Sequence, residues 1–205
     1  MSSSSFLDNP QTPIVVDASV VINLNATGRA GEILRAFPNP FFVTANAAVE
    51  LENGARNGHT DSEALQQLIK LRVLQLVALN TPDAVYETLI EGAAAQTLDD
   101  GEAATISFAL GANGVAALDE RKARSICISR FPSLNICSTA DLLTHARLQE
   151  SLGKKAQVDA IVAALRGARM RVPQEQLGKI VGLIGEETAA TCHSLPKSTR
   201  IKVSS

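Results

Sequence analysis

The sequence predicts an α/β fold with a central, mostly parallel sheet flanked by helices. Short apolar runs rich in β-branched residues recur along the chain, and helical segments separate them. Several of these runs are apolar at every position, which is typical of strands buried on both faces of a sheet. Hydrophobic residues make up 45% of the 205 residues, enough for one substantial core. Because only 3% of the residues are aromatic and Trp is absent, we expect a core of Ala, Leu, Val and Ile.

The first half of the chain carries three predicted strands, at residues 14–16, 41–43 and 73–77. The first strand ends at Asp17, and the prolines before the second prevent the preceding helix from continuing. Asn46 is the predicted N-cap of the helix that carries Glu50. Glu50 lies three residues after an alanine and four before a glycine, on a helix face small enough for close packing. Helices are predicted around residues 30–36, from residue 46, over 61–71 and from Pro82 to about residue 95.

The second half continues the alternation. A helix starts in the acidic turn at residues 98–102, a buried strand follows at 115–118 and ends at Asp119, and a basic helix comes next. A further strand at 134–137 leads to a helix that Ser138 or Thr139 caps and that runs through residue 150. Two more helices, at 156–166 and 174–187, are separated by a glycine and a proline. The sequence therefore predicts four regions: a disordered N-terminus (1–12), an α/β domain (13–150), a helical C-terminal extension (151–190) and a flexible tail (191–205).

Charge is distributed unevenly. The net charge of −2 combines a net of −7 over residues 1–150 with a net of +5 over residues 151–205. A basic region beside an acidic domain is typical of nucleic-acid contact, and it is equally typical of solvated helix faces. The scarcity of aromatic residues argues against binding a single strand by base stacking.

The cysteines and the hydropathy pattern together indicate where the protein is located. The three cysteines are odd in number and show no CxxC spacing, so free thiols are expected and a structural zinc site is not. The N-terminus has no cationic segment followed by an apolar run, as a signal peptide would. No apolar stretch approaches the roughly 20 residues that a membrane span needs. We expect a cytoplasmic protein.

Four carboxylates occupy comparable points of the predicted fold: Asp17 and Asp119 after strands, Glu50 on a helix after a strand, and Glu102 at a helix start. Each has a structural explanation, because an aspartate can cap a helix and an acid in the first turn interacts favourably with the helix dipole. If the four converge, however, their mutual repulsion favours protonation of some of them or a bound cation. Oxygen ligands suit Mg²⁺ or Mn²⁺, which can activate water and stabilise the charge that develops on a phosphodiester.

Other chemistries fit the sequence less well. The glycine-rich GxGxxG and GxxxxGK[ST] motifs are absent. His59, His145 and His193 stand in contexts that suggest no Ser-His-Asp arrangement. A small-molecule enzyme that uses Mg²⁺ at a strand-end aspartate remains an alternative, although Asp17-Ala18-Ser19 lacks the second aspartate of dehalogenase-like phosphotransferases.

The ordered segments VVDASVVINL, VELENGA, LDDGEAATISFAL and GVAALDERKAR resemble the four-acid series of PIN (PilT N-terminal) domain nucleases over about residues 13–150. The later segments STADLLTHARLQESLG and AALRGARMRVPQEQL resemble the helical extension of a prokaryotic subgroup. The resemblance implies a three-layer, Rossmann-like fold and metal-binding acids at Asp17, Glu50, Glu102 and Asp119, with Asp100 as an additional or substitute ligand. It also implies the following substrate-binding residues: Ser19, Arg121, Lys122, Arg124 and Thr139.

The function that this resemblance implies is a Mg²⁺- or Mn²⁺-dependent endoribonuclease that hydrolyses RNA, with a role as the toxin of a toxin–antitoxin pair. An antitoxin partner and a homodimer through Ala-rich helices belong to the same expectation, and no membrane partner does. The alternative is a PIN-like module that binds RNA or protein without cleaving. Convergence of the four acids favours the enzyme, and their dispersal favours the module.

Overall fold

The structure of the chain is a computed structural model that describes residues 4–55, 60–79, 84–94 and 96–200. Within these residues, five parallel strands form one sheet in the order β3-β2-β1-β4-β5. The strands are β1 (Ile14–Val16), β2 (Phe41–Thr44), β3 (Gln75–Val77), β4 (Val115–Ala117) and β5 (Asn135–Cys137). The predicted α/β class with a parallel sheet is confirmed.

The first strand lies at the centre of the sheet. Val16 pairs with Val43 of β2 on one side and with Ala117 of β4 on the other. The chain builds outward from β1 to β3, then returns to place β4 on the opposite side of β1. This reversal of strand order leaves a crevice at the carboxyl ends of β1 and β4, where open parallel sheets bind ligands.

The central strands β1 and β4 are buried on both faces of the sheet, and their successive side chains point to opposite sides. Val16 and Ala117 belong to a larger core, and Val15 and Ala116 to a smaller one. The smaller core is completed by α6 (Ala84–Ile90), α7 (Asp100–Gly111) and α8 (Arg121–Arg130). The larger core receives residues from α1 (Ser4–Leu7), α2 (Ala18–Ala26), α3 (Ala30–Arg35), α4 (Ala45–Ala55), α5 (Asp61–Lys70), α9 (Thr139–Leu143), α10 (Ala146–Leu152), α11 (Lys154–Gly167), α12 (Leu177–Ile184) and α13 (Glu186–Ala190).

The segment before β1 differs from its prediction. Disorder is expected over residues 1–12, whereas the structure has a short helix at Ser4–Leu7 and buries Leu7 in the larger core. The buried Asn39 amide nitrogen holds the following turn by donating to the carbonyl oxygens of Phe6, Asn9 and Thr12, at 2.8–3.0 Å. One apolar side chain and one buried amide thus order this segment.

Several element boundaries also differ. The helix that carries Glu50 begins at Ala45, and the Thr44 hydroxyl accepts a hydrogen bond from the Ala47 N–H, so Asn46 is not its cap. The strand expected at 73–77 is shorter, at Gln75–Val77. The expected start of a helix at Pro82 lies outside the described residues, as does His59. The described part of that helix ends at Ile90, earlier than expected.

The C-terminal region is helical as expected, with more breaks. Ser138 caps α9 in a capping box with Asp141, but His145 starts a new helix because its ring nitrogen accepts from the Arg147 N–H. A 3₁₀ turn at Gln174–Gln176 and Gly185 divide the second extension helix. Beyond residue 190, where a flexible tail is expected, Cys192 and Leu195 are buried in the larger core, and α14 (Lys197–Arg200) follows. Among the described residues, no helix is both long and apolar enough to cross a membrane.

Candidate acidic active site

Asp17 stands at the carboxyl end of the central strand and begins the site. Its side chain is buried, and its Oδ2 accepts from the Ser19 backbone N–H at 3.2 Å and from the Ser19 hydroxyl at 2.7 Å. The aspartate is therefore the N-cap of α2, as one interpretation of the sequence expects. The cap uses only one oxygen, however, and the buried Oδ1 has no hydrogen-bond partner. A buried carboxylate oxygen without a donor is energetically costly unless a proton or a cation reaches it.

Glu50 reaches the same region from α4 because α7 packs unusually close to it. The Gly101 backbone N–H donates to Glu50 Oε1 at 2.9 Å. A Cβ atom at position 101 would lie 2.6 Å from Oε1 and 2.7 Å from the carboxyl carbon of Glu50. The glycine therefore permits the N-terminal turn of α7 to hold the Glu50 carboxylate.

The first turn of α7 contributes two further acids. Asp99 is the N-cap, and its Oδ1 accepts from the Glu102 backbone N–H at 2.9 Å. Glu102 is buried among small residues, with 6% of its surface exposed. Capping therefore fixes the backbone from which the Glu102 side chain extends.

These acids line one cavity of about 550 Å³ at the carboxyl ends of the strands, which we call the acid cavity. Of the four acids in the predicted series, three line it: Asp17, Glu50 and Glu102. The predicted Ser19 and Lys122 line it as well, together with two acids outside the predicted set, Asp99 and Glu120. The other lining residues are Ala18, Ile22 and Leu51.

The acids of this cavity raise one another's pKa values. Burial raises the pKa of Asp17 to about 6, and the charge of Asp99 adds to this. Burial, followed by the charge of Asp99, raises the pKa of Glu50 to about 7, and the charge of Asp17 contributes. The same causes raise the pKa of Glu102 to about 8. Because one acid perturbs the next, the carboxylates are near enough to repel, and a divalent cation among them would relieve that repulsion.

Asp119 has a different environment. It follows β4, but Glu120 rather than Asp119 occupies the N-cap position of α8. The Asp119 carboxylate accepts from the Asn23 amide at 2.7 Å, from the Thr139 N–H at 2.8 Å and from the Thr139 hydroxyl. Burial raises its pKa, and these donors lower it. Asp119 lies beside the acid cavity and lines a neighbouring one instead.

Asp100 lies apart from this arrangement. It is exposed, its Oδ1 accepts from the Tyr86 hydroxyl at 2.7 Å, and it does not line the acid cavity. Its neighbour Asp99 takes the place in the cavity that the resemblance suggested for Asp100. The LDDGE segment alone cannot distinguish the two, because both acids precede the same helix.

The predicted cations divide between two cavities. Lys122 lines the acid cavity, and its ammonium donates to the Ala94 carbonyl oxygen at 2.7 Å. Arg121 and Arg124 line the neighbouring cavity, where Arg124 forms an ion pair with Glu175 at 2.9 Å.

Sequence reasoning missed four residues of the site: Asn23, Asp99, Gly101 and Glu120. Asn23 had a recognisable signal, since it is polar in the otherwise apolar VVINL run and lies four residues after Ser19, on the same helix face. Gly101 had one as well, because a glycine in the first turn of a predicted helix indicates close approach of another group.

The donor atoms of the acid cavity are of the type that a hard cation prefers, but the side chains are not arranged around a metal position. Within the described residues, no three His, Cys, Asp or Glu side chains form a group that could hold a metal ion as they stand. The donor set is nevertheless all oxygen, which Mg²⁺ and Mn²⁺ prefer, and Asp17 Oδ1 is a buried oxygen without a partner.

The comparisons with known proteins give one match. A family model described as a PIN domain matches residues 13–186, from the start of β1 to the beginning of α13. Neither the curated proteins nor the solved structures contain a significant match. The matched region covers most of the chain and includes every acid of the cavity. PIN domains are in general nucleases that use divalent metals. The chain belongs to the PIN domain family.

Proposed function

We propose that this protein is a metal-dependent endoribonuclease that hydrolyses RNA phosphodiester bonds. The observation that carries the proposal is the unpartnered Asp17 Oδ1 in a cavity lined by four further carboxylates at the switch point of the sheet. Family membership supports a nuclease in general. The choice of RNA as the substrate comes from the resemblance of the four acidic segments.

Each side chain has a distinct part in this proposal. Asp17, Glu50, Asp99 and Glu102 would hold Mg²⁺ or Mn²⁺, and the bound metal would activate water and stabilise charge on the phosphate. Ser19 orients Asp17, and Asn23 and Thr139 orient Asp119. Lys122 stands at the rim of the acid cavity, where its ammonium can exchange the Ala94 carbonyl for a substrate phosphate.

The test is cleavage of a single-stranded RNA by the full chain in Mn²⁺, with Asp17→Asn as the variant. We expect a loss larger than the roughly 10–100-fold that removal of an outer-shell partner causes at metal sites. Glu52→Gln is the matched control, because Glu52 is an exposed acid two residues from Glu50 and does not line the cavity. Unchanged cleavage by Asp17→Asn would overturn the assigned site.

A second candidate is a PIN-like module that binds RNA or protein without cleaving it. The observation that favours it is that no described group of three potential ligands is arranged to hold a metal ion. Calorimetric titration with Mn²⁺ separates the two, because the enzyme requires binding that Asp17→Asn abolishes and the module requires none.

The biological setting is also part of the proposal. A toxin role with an antitoxin partner, and a homodimer, rest on the family resemblance alone. A cytoplasmic location agrees with the three cysteines, which are free and buried.

A further inference from the structure

A second cavity, which we call the arginine cavity, lies next to the acid cavity. It has a volume of about 580 Å³ and lies between α8 and the C-terminal extension. Three arginines line it, Arg121, Arg124 and Arg171, against two carboxylates, Asp119 and Glu175. Its size is that of a ligand site.

The two cavities meet at consecutive residues. Asp119 lines the arginine cavity and Glu120 lines the acid cavity. Arg171 forms an ion pair with Glu120, so an arginine of the extension stands at the boundary. A nucleic-acid strand that places one backbone phosphate at the acids can therefore place a neighbouring phosphate at the arginines.

Two of the three arginines, Arg121 and Arg171, are available to such a phosphate. The Arg121 side chain is exposed and makes no hydrogen bond or ion pair within the described part of the chain. Arg171 is 67% exposed and its partner Glu120 is 42% exposed. Ion pairs of this exposure contribute only about 0–1 kcal/mol, whereas an arginine binds phosphate through paired, charge-assisted hydrogen bonds.

The extension holds Arg171 in place through its neighbour. Met170 is fully buried in the larger core, and its N–H donates to the Ala164 carbonyl oxygen at 3.1 Å. Arg171 follows directly and is exposed at the cavity. The cavity wall also presents Ile128, which is 66% exposed, together with Val172 and Pro173. An apolar wall beside cations suits a nucleotide, whose base is apolar on its face and whose phosphate is charged.

We propose that the arginine cavity binds the phosphodiester backbone of a single-stranded RNA next to the cleaved bond, with Arg171 of the extension and Arg121 of α8 as phosphate ligands. This rests on the proposed nuclease function for its placement, and it adds the C-terminal extension to the substrate site. The C-terminal extension then has two roles: its apolar residues complete the larger core, and Arg171 binds substrate.

The test measures binding of a fluorescent single-stranded RNA to the full chain in EDTA, where no cleavage occurs, over a series of salt concentrations. Arg171→Gln is expected to weaken binding roughly three- to tenfold, the range of one typical hydrogen bond net of its exchange with water. The slope of log affinity against log salt should fall by about 0.7, because one phosphate contact on a single strand is lost. Arg121→Gln should act in the same way, and it breaks no ion pair.

Arg169→Gln is the matched control, because Arg169 is an exposed arginine of the same segment that does not line the cavity. Wild-type affinity in Arg171→Gln and Arg121→Gln would overturn the proposal, and so would an equal loss in Arg169→Gln, since that indicates net charge alone. The result of this binding test is independent of the cleavage test for the proposed function. If Asp17→Asn leaves cleavage intact while Arg171→Gln weakens binding, the acidic site is wrong and the arginine cavity stands.

Discussion

The backbone N–H of Gly101 donates to the Glu50 carboxylate at 2.9 Å, and no side chain fits between them. Gly101→Ala is expected to displace the carboxylate and to lower metal-dependent cleavage roughly 10–100-fold, the size typical of lost support at a metal site. Stability should change little, because alanine favours a helix over glycine by up to about 1 kcal/mol and offsets the displaced contact. The measurement is the cleavage rate beside the free energy of unfolding.

Gly111→Ala is the control on the same helix. Gly111 ends α7, and a Cβ atom there meets nothing within 4 Å. We expect full activity from this variant. Equal activity loss in both variants would show that the helix as a whole, and not the approach to Glu50, is responsible.

Thr139→Val removes the hydroxyl that donates to Asp119 while keeping the shape of the side chain. The buried carboxylate then loses a donor that lowers its pKa, so we expect a higher pKa for Asp119. A loss of about 1–3 kcal/mol in the free energy of unfolding should accompany it. Urea unfolding at pH 7 measures the effect.

Thr105→Val is the matched control, because the Thr105 hydroxyl is buried and has no hydrogen-bond partner. Its removal should be neutral or stabilising. A loss equal to that of Thr139→Val would mean that valine is poorly accommodated in these helices and would leave no role for the Asp119 contact.

The free energy of unfolding of the metal-free protein should fall as the pH rises. The pKa values of Asp17 and Glu102 are raised from 3.8 and 4.5 to about 6 and about 8. The native state therefore binds more protons than the unfolded state between about pH 4 and pH 8, which makes stability decrease with pH across that window. We expect a decrease on the order of 1–3 kcal/mol between pH 5 and pH 8 in EDTA.

Two further measurements assign this decrease. Asp17→Asn should reduce it, and saturating Mn²⁺ at pH 8 should restore stability in the wild type but not in the variant. A wild-type protein that grows more stable from pH 5 to pH 8 in EDTA would contradict the assignment of raised pKa values to these acids.

Asn39→Ala should release the segment before β1. The Asn39 amide donates to three carbonyl oxygens of that segment, so amide exchange over residues 4–12 is expected to accelerate while exchange in β1 stays slow. Asn135→Ala, an exposed asparagine in β5, serves as the control. Unchanged exchange in Asn39→Ala would show that Leu7 alone orders the segment.

The strand ends were the most predictable part of the site. Apolar runs that end in acids placed Asp17 and Asp119 at one edge of a parallel sheet, and adjacent strands β1 and β4 carry them. The surroundings of Asp119 could not be predicted in the same way, because its contact with Asn23 joins residues 96 positions apart. Asp99 was missed for a different reason. Its position before a helix is fully explained by a role as N-cap, and only the cavity around it reveals a second role. Local patterns determine strands and caps, whereas the neighbours of a carboxylate depend on packing.

The central position of β1 has a consequence for the chain as it is synthesised. β1 is translated about a hundred residues before its second neighbour β4. Asp17 can therefore acquire its place beside Glu102 only after the chain through α7 has left the ribosome. Thr139, which holds Asp119, is translated later still. A chain that ends before β4 has no assembled centre, so any hydrolytic activity would be confined to longer molecules and withheld from such fragments.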